Sequence, residues 1–317
     1  MSAEPISLSL ALSNNERTRP ILEGRFQPQG IRLMPTTVHP SEMFWRQLKF
    51  AEFDVSEMSM SSFFITTARG DRRFVGLPIY TMRHFFHTSI LVRNDSGIKE
   101  PKDLVGKKIG VPEYQQTWAI WSRGVLEDEY GVQPKDIIWH MERTPDISHG
   151  GSTGFKAPPG VTVNQIPRTT NIGEMLVNGE LDGTLLYLSE KNLVDRSSAD
   201  ISDVCHLLFA DPLAESKRYY AKTGIYPINH AMVIKRDVHE KHPWAAVNIF
   251  HAFKAAKDEV DLTARKTLED YVACGLVDRS TLKAMEASPK DYGIRSSREV
   301  LETISRYVHR QGLTDRI

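Results

Sequence analysis

The sequence predicts an α/β protein, an open sheet with helices packed on it. Three observations lead there. Strand-like and helix-like segments alternate through most of the chain, the final segments are helical only, and 40% apolar with 25% charged residues is a globular composition. At 317 residues the chain has the length of two domains. Forty Lys and Arg balance forty Asp and Glu, which argues against a nucleic-acid backbone or an anionic membrane as main partner and for a small molecule.

Taken in order, Ile6–Leu12 alternates apolar and polar residues at period two, which is a strand, and Ser13-Asn14-Asn15 caps a helix beginning near Glu16 or Thr18. Phe53-Asp54-Val55 reads as a short strand. It runs into Ser59-Met60-Ser61-Ser62, a serine-rich helix start whose free N–H groups favour an anion. A strand over 89–92, a turn at Asn94-Asp95-Ser96-Gly97, a short helical piece at Pro101–Leu104, a strand at Lys108–Val111 and a helix over 115–130 form the next unit. Pro145, Gly150-Gly151, Gly154 and Pro158-Pro159-Gly160 predict a long loop. Strands return over 161–163 and 183–186 around a helix starting near Asn171 and ending at Asn178-Gly179. A strand over 231–234 leads to a helical tail, where Ala246, Ile249, Phe250 and Phe253 share one face, as do Leu301, Ile304 and Val308. Ser296 and Glu299 have capping-box spacing before the last helix.

Cys205 and Cys274 lack a CxxC spacing, so buried, reduced thiols are expected and neither a disulfide framework nor a thiolate zinc site. Met1 to Pro5 carry no basic n-region, and no apolar run approaches the roughly 20 residues that span a bilayer. A soluble, cytoplasmic chain is the expectation.

Three stretches resemble the 4,5-dihydroxyphthalate decarboxylase family. They are residues 53–62, Gly110-Val111-Pro112-Glu113-Tyr114-Gln115 with Trp121-Ser122-Arg123-Gly124, and Gly224-Ile225-Tyr226-Pro227-Ile228-Asn229-His230. Asn15-Glu16-Arg17-Thr18-Arg19-Pro20 is also similar, and the likeness runs with gaps from about residue 6 to 310. The resemblance implies the two-lobed fold of type 2 periplasmic binding proteins, with two crossing hinge strands, near 89–92 and 231–234, and a ligand cleft between lobes. Lobe I would comprise residues 1–90 and 232–317, and lobe II residues 91–231. It also implies a carboxy-lyase that converts 4,5-dihydroxyphthalate to protocatechuate, or acts on a related hydroxybenzoate, in phthalate degradation, as a homo-oligomer. The alternative on the same fold is a non-catalytic solute-binding or sensor protein for a small carboxylate. Where the family carries Arg-His-Ser this chain has Phe86-His87-Thr88, which predicts a smaller or less charged acid.

Decarboxylating an aromatic acid without an aryl carbanion requires protonation of the ring carbon, with a ring hydroxyl supplying electrons. No GxGxxG, P-loop or pyridoxal lysine context occurs, and no cofactor is expected. His87 and His230, each just before an implied crossing strand, are the acid–base candidates, against the plainer role of satisfying hinge backbone. Glu57 either orients a histidine, takes the phenol proton, or caps the helix after it. Arg19 and Arg83 are candidates to clamp the carboxylate, with Arg17 behind them, because a guanidinium offers two parallel donors and stays charged. Ser59 and Ser61 are candidates for a second carboxylate oxygen, Tyr114 and Gln115 for the opposite wall of the cleft, and Trp118 and Trp121 for core. A divalent metal held by His87, His230 and Glu57 is the minor alternative to a cofactor-free site.

Overall fold

The computed structural model of the chain describes residues 4–286 and 288–317. Strands β1 (Ile6–Leu12), β2 (Ile31–Thr37), β3 (Val55–Ser59) and β4 (Phe74–Arg83) build the first lobe with helices α1 (Arg19–Leu22), α2 (Pro40–Phe50) and α3 (Met60–Ala68) between them. The second lobe follows, with β5 (Leu91–Arg93), β6 (Lys108–Val111), β7 (Ile138–Met141), β8 (Thr162–Gln165), β9 (Gly183–Thr184) and β10 (Cys205–Leu207). Its helices are α4 (Thr117–Tyr130), α5 (His149–Thr153) and α6 (Ile172–Val177). After α7 (Pro212–Thr223) the chain returns to the first sheet as β11 (Ile228–Lys235) and continues through α8 (Arg236–Lys241), α9 (Pro243–Ala273), α10 (Ser280–Glu286) and α11 (Arg298–Arg310).

The first sheet has the order β2-β1-β3-β11-β4 and the second β10-β5-β9-β6-β7-β8. In the first, β1 pairs in parallel with β2 and β3, while β11 runs antiparallel between β3 and β4. An α/β chain with two sheets and two crossings is therefore what folds, as the sequence predicts. Leu8, Leu10 and Leu12 pack into the main core while Ala11 meets Met43 and Phe44 of α2, so the carboxyl end of β1 is buried on both faces, as an inner strand of a parallel sheet should be.

Several expectations change in detail. The strand expected over 53–55 is β3, which runs on to Ser59, and β2, α2, β4, β7, α5, β10 and α7 have no counterpart in the sequence reading. Residues 86–89 form a 3₁₀ turn before β5, and β11 lies in the first sheet from Ile228, so residues 228–231 sit with the first lobe. Ser297, not Ser296, precedes α11, and the Ser296 hydroxyl donates to the Tyr292 carbonyl at 3.0 Å instead of capping. Cys205 is buried, but Cys274 is exposed beyond α9. Among the described residues no helix is long and apolar enough to cross a membrane.

One contact ties the lobes behind the cleft. Helix α4 begins at the second sheet yet packs on α11 through Gly124, where a Cβ would lie 2.2 Å from the Tyr307 ring. Arg123 Nε donates to Gln311 Oε1 at 2.9 Å, Gln311 Nε2 donates to the Ile120 carbonyl at 2.9 Å, and Trp121 Nε1 donates to the Ile228 carbonyl at 2.9 Å.

Candidate active site

Parallel strands bring their carboxyl ends to one edge, and the turns after them form the crevice where open α/β sheets bind ligands. In the first lobe these turns supply Ser13 to Arg17 after β1, His39 after β2, Ser59 at the end of β3 and Thr81 to Arg83 at the end of β4. Because β11 is antiparallel, its beginning, Asn229-His230, reaches the same edge. The second lobe adds Gln116 to Trp118 after β6, Arg143 after β7 and Leu186, Leu188 and Glu190 after β9. The crevice is two connected chambers. A polar one of about 640 Å³ holds Arg17 and Arg83, a slot of about 200 Å³ is walled by Phe44, Trp118, Leu186 and Leu188, and His39, Met82 and His230 line both.

His230 lies opposite Ser59 in the β3–β11 ladder, so Glu57, two residues before Ser59, is its diagonal neighbour on the same face. The result is a carboxylate–histidine pair: His230 Nδ1 and Glu57 Oε2 are 2.9 Å apart. The other Glu57 oxygen accepts from the Ser13 N–H at 3.0 Å and the Ser13 hydroxyl at 2.8 Å. Glu57 is 0% exposed and does not line the crevice. With an anionic partner on Nδ1, the proton there is fixed and Nε2 is the nitrogen available for exchange. Nε2 of the neutral ring accepts from the Asn229 amide at 2.9 Å. Asn229 Oδ1 has no hydrogen-bond partner among the described residues, so turning that amide offers Nε2–H an acceptor when the ring is charged. The ring stands edge-on to Phe44 with centroids 4.7 Å apart. The register of β11 against β4 shifts on either side of His230, an irregularity of the kind that re-aims a side chain beside a site.

Arg83 ends β4 and is 6% exposed. It donates to the Tyr226 carbonyl at 3.0 Å, to the Ser297 hydroxyl at 2.8 Å and, more weakly, to the Asp291 carbonyl at 3.3 Å, while its Nε is buried without a partner. Burial, with Arg17 nearby, pushes its pKa down to about 10, so the guanidinium stays charged at neutral pH. Arg17 is half-buried in the same chamber and makes only a 3.4 Å contact to the Thr81 carbonyl. Among the described residues neither arginine has a carboxylate partner. Two cations sharing one chamber without an anion are an arrangement chemically suited to gripping a carboxylate.

The opposite wall holds a third arginine, and it is occupied. Arg143 Nε donates to Asp195 Oδ1 at 2.7 Å, and its terminal nitrogens reach Glu113 at 3.1 Å and the Ser41 hydroxyl at 2.5 Å. Burial pushes Asp195 up, but the Arg143 guanidinium overrides it and holds the carboxyl at about 2. His149 Nε2 is 3.1 Å from the Ser41 carbonyl, and burial pushes its pKa down. Ser41 lies in the first turn of α2, so Arg143 and His149 latch the second lobe onto the first.

Residues 68–150 fit the family model described as NMT1/THI5 like. A 4,5-dihydroxyphthalate decarboxylase from Comamonas testosteroni is 31% identical over 316 residues, covering 98% of this chain and 94% of that protein. The chain belongs to the 4,5-dihydroxyphthalate decarboxylase family. A second member, from Pseudomonas putida, is 37% identical over 190 residues, 58% of this chain and 74% of that protein. In fold, the family member described here superposes on the periplasmic aliphatic sulphonate binding protein SsuA of Escherichia coli with a TM-score of 0.56, 13% identity and coverage of 99% and 95% of the two chains. The fold is thus that of the periplasmic binding proteins.

Within this family fold, the predicted residues separate clearly. Glu57 and His230 come together, Arg83 lines the crevice, and Ser59 lies at its floor. His87 does not reach it: the ring is 1% exposed, and its Nε2 is 3.1 Å from Glu215 Oε1 against Phe209 and Tyr219. A metal shared by His87, His230 and Glu57 is therefore not assembled, and among the described residues no three His, Cys, Asp or Glu side chains converge at ligand spacing. Arg19 is exposed on α1, and Arg17 takes its place. Ser59 and Ser61 are engaged with α4, Ser59 Oγ lying 2.9 Å from Thr117 Oγ1 and the Ser61 N–H donating to that oxygen at 3.0 Å, so these two serines meet the opposite lobe and do not line up for a carboxylate.

Tyr114 is core, stacked 3.7 Å from the Arg123 guanidinium, and Gln115 is buried against Thr153. Gln116 is the glutamine in the wall. Trp121 is core as expected, whereas Trp118 faces the slot. His39, Arg143 and His149 were missed. His39-Pro40, a proline at a helix start after a strand, is the one sequence signal that would have found His39.

Proposed function

We propose that the crevice decarboxylates a hydroxylated aromatic acid, with 4,5-dihydroxyphthalate the substrate favoured and protocatechuate the product. The chain is a carboxy-lyase by family; the observation that carries the site-level reading is the Glu57–His230 pair beside two arginines with no anion. Arg17 and Arg83 hold carboxylate. The ring enters the slot between Phe44, Trp118, Leu186 and Leu188, whose volume of about 200 Å³ compares with the ~150 Å³ apolar cavity that admits benzene. His230, at the junction of the chambers, delivers the proton from Nε2 to the ring carbon bearing the carboxylate. Electrons for that bond come from the ring and its phenolate oxygen. The carbon–carboxyl bond then breaks, its pair returns to the ring, and CO2 leaves, so one proton is consumed for each CO2 released. Glu57 stabilises the imidazolium before the transfer and holds the ring throughout.

Phe86, which replaces a family arginine, packs 4.7 Å from Trp118 at the back of the slot. Arg17 together with Arg83 supplies the two cations a phthalate needs, which favours the diacid over the monoacid that Phe86 alone suggested. The proposal includes a place in phthalate degradation, a cytoplasmic location and no cofactor. Incubating the purified protein with 4,5-dihydroxyphthalate and with mono- and dihydroxybenzoates, following CO2 and the ultraviolet spectrum, tests it. Release from the phthalate first among these is expected. Tight binding of an acid with no CO2 from any would instead make the chain a carboxylate-binding protein.

A further inference from the structure

Two histidines line both chambers of the crevice, and the mechanism above uses one. His39 stands at the start of α2, where its carbonyl accepts the Met43 N–H at 2.9 Å and Pro40 follows at the first helical position, so its place is set by backbone. Its ring Nδ1 lies 3.1 Å from Nδ2 of Asn192, which comes from the opposite lobe. The orientation of that amide is determined by its own partners. Asn192 Oδ1 accepts the N–H groups of Val194 at 2.9 Å and Asp195 at 3.0 Å, while Nδ2 donates to Asp195 Oδ2 at 2.9 Å. The Glu190 carbonyl is a more distant acceptor at 3.3 Å. Turning the amide round would set an oxygen against a carboxylate and an NH₂ against two N–H donors. Asn192 is therefore the donor to His39, and Nδ1 is an acceptor with no proton of its own. The single proton of the neutral ring is on Nε2, which has no hydrogen-bond partner among the described residues and belongs to a ring lining both chambers.

We propose that His39 is a catalytic residue of this crevice, a neutral Nε2–H donor to the substrate's phenolate oxygen, locked in that tautomer by Asn192 across the cleft. The inference rests on the decarboxylase reading of the site. A phenolate must stay unprotonated to feed electrons to the ring carbon that His230 protonates. A histidinium at the oxygen would return the proton and quench it, whereas a neutral donor stabilises the charge without transferring anything. The environment favours the neutral ring: burial pushes the pKa of His39 down, with Arg143 acting in the same direction, against the pull of Asp195, Glu190 and Glu42. The two histidines are thus given opposite tasks by their second nitrogens, a carboxylate for His230 and an amide donor for His39. Asn192 acts through His39 and is a positioning residue. Its bond crosses the cleft, so the donor is set only when the lobes are together.

The test combines ¹⁵N spectra of the histidine rings with binding of protocatechuate, whose ultraviolet spectrum reports ionisation of the catechol. The wild-type chain should show His39, assigned by its loss in His39→Gln, as the neutral Nε2–H form, and bound protocatechuate should ionise at lower pH than free. His39→Gln, whose Nε2–H₂ can occupy the same place, should keep the ionisation shift and hold kcat within roughly tenfold, while His39→Ala should lose the shift and about a hundredfold in kcat. Asn192→Asp, which offers Nδ1 an acceptor and draws the proton to it, should behave like His39→Ala although the imidazole remains. A ring protonated on Nδ1 in the wild type, or an ionisation shift that survives both His39→Ala and Asn192→Asp, overturns the proposal. Absence of CO2 release by the wild type with every acid overturns the decarboxylase reading instead, and the tautomer and the ionisation shift still decide the role of His39.

Discussion

His230 and Glu57 were legible from their neighbours in sequence, His230 standing just before an implied crossing strand and Glu57 between a short strand and a serine-rich helix start, whereas the ladder that makes them neighbours emerges only in the fold. Arg17 and Arg19 differ by two positions beside a helix of four residues, too short for periodicity to say which faces the crevice. The same limit applies to Gln115 and Gln116, since α4 begins at Thr117 and the turn before it, not the helix, aims them. His87 misled because a histidine beside a hinge reads alike whether it faces the cleft or, as here, Glu215 behind it. His230→Gln should lower kcat by about a hundredfold or more, while equilibrium dialysis finds ligand affinity changed only severalfold; unchanged turnover would remove His230 as the proton carrier. Arg17→Ala deletes a cation with no protein anion to release. Losing one charge-assisted bond, about 1.5–3 kcal/mol, should raise KM roughly tenfold to a hundredfold with kcat nearly kept. Arg83→Ala should do the same and also destabilise, because Tyr226 and Ser297 lose their donor.

At the scale of elements, periodicity found part of the architecture and missed even an amphipathic helix, α2, which buries Met43, Phe44, Gln47 and Leu48 on one face. β3 is buried along its whole length although Ser56, Glu57 and Ser59 are polar, so the sequence pattern supports a strand only over 53–55 and a helix start from Ser59. β2 is an edge strand containing Pro35 with an exposed second half, a poor match to any strand template. Helix α5 is five residues within the Gly- and Pro-rich stretch, held by Glu113, whose carboxylate accepts from the N–H groups of His149 and Gly150. The α4–α11 contact gives an element-level prediction. A methyl at Gly124 meets a rigid ring at 2.2 Å, so Gly124→Ala should cost about 1–3 kcal/mol as overpacking, read as a lower urea midpoint. Adding Tyr307→Leu, which removes the ring, should recover part of that loss. A Gly124→Ala chain as stable as the wild type would show that α11 can move away freely.

For the molecule as a whole, the two-lobed fold was readable from the order of elements and the family likeness, whereas the way the lobes engage was not, because Arg143, Asp195, Ser41 and His149 are far apart in sequence. That latch predicts an acid response. The Asp195 carboxyl, held at about 2 in the folded chain against an ordinary value of 3.8, contributes stability that is complete above the ordinary value and fades as pH falls through the folded one. Glu215, also held at about 2 by Arg218 and His87 despite burial, acts in the same window. Thermal unfolding should shift steeply downward between pH about 4 and about 2, and Asp195→Asn should flatten that slope; an unchanged slope would show that the latch does not govern acid stability.

The place of β11 in the first sheet has a consequence for synthesis on the ribosome. The second sheet uses one uninterrupted stretch, 91–207, but the first sheet lacks its strand between β3 and β4 until Lys235 has emerged. The later lobe in translation order is therefore the one that begins first. Nascent chains stalled so that about residue 215 has left the ribosome should contain a protease-resistant fragment around 91–207 and a digestible amino-terminal part, and His230 and Glu57 meet only after the intervening lobe is made.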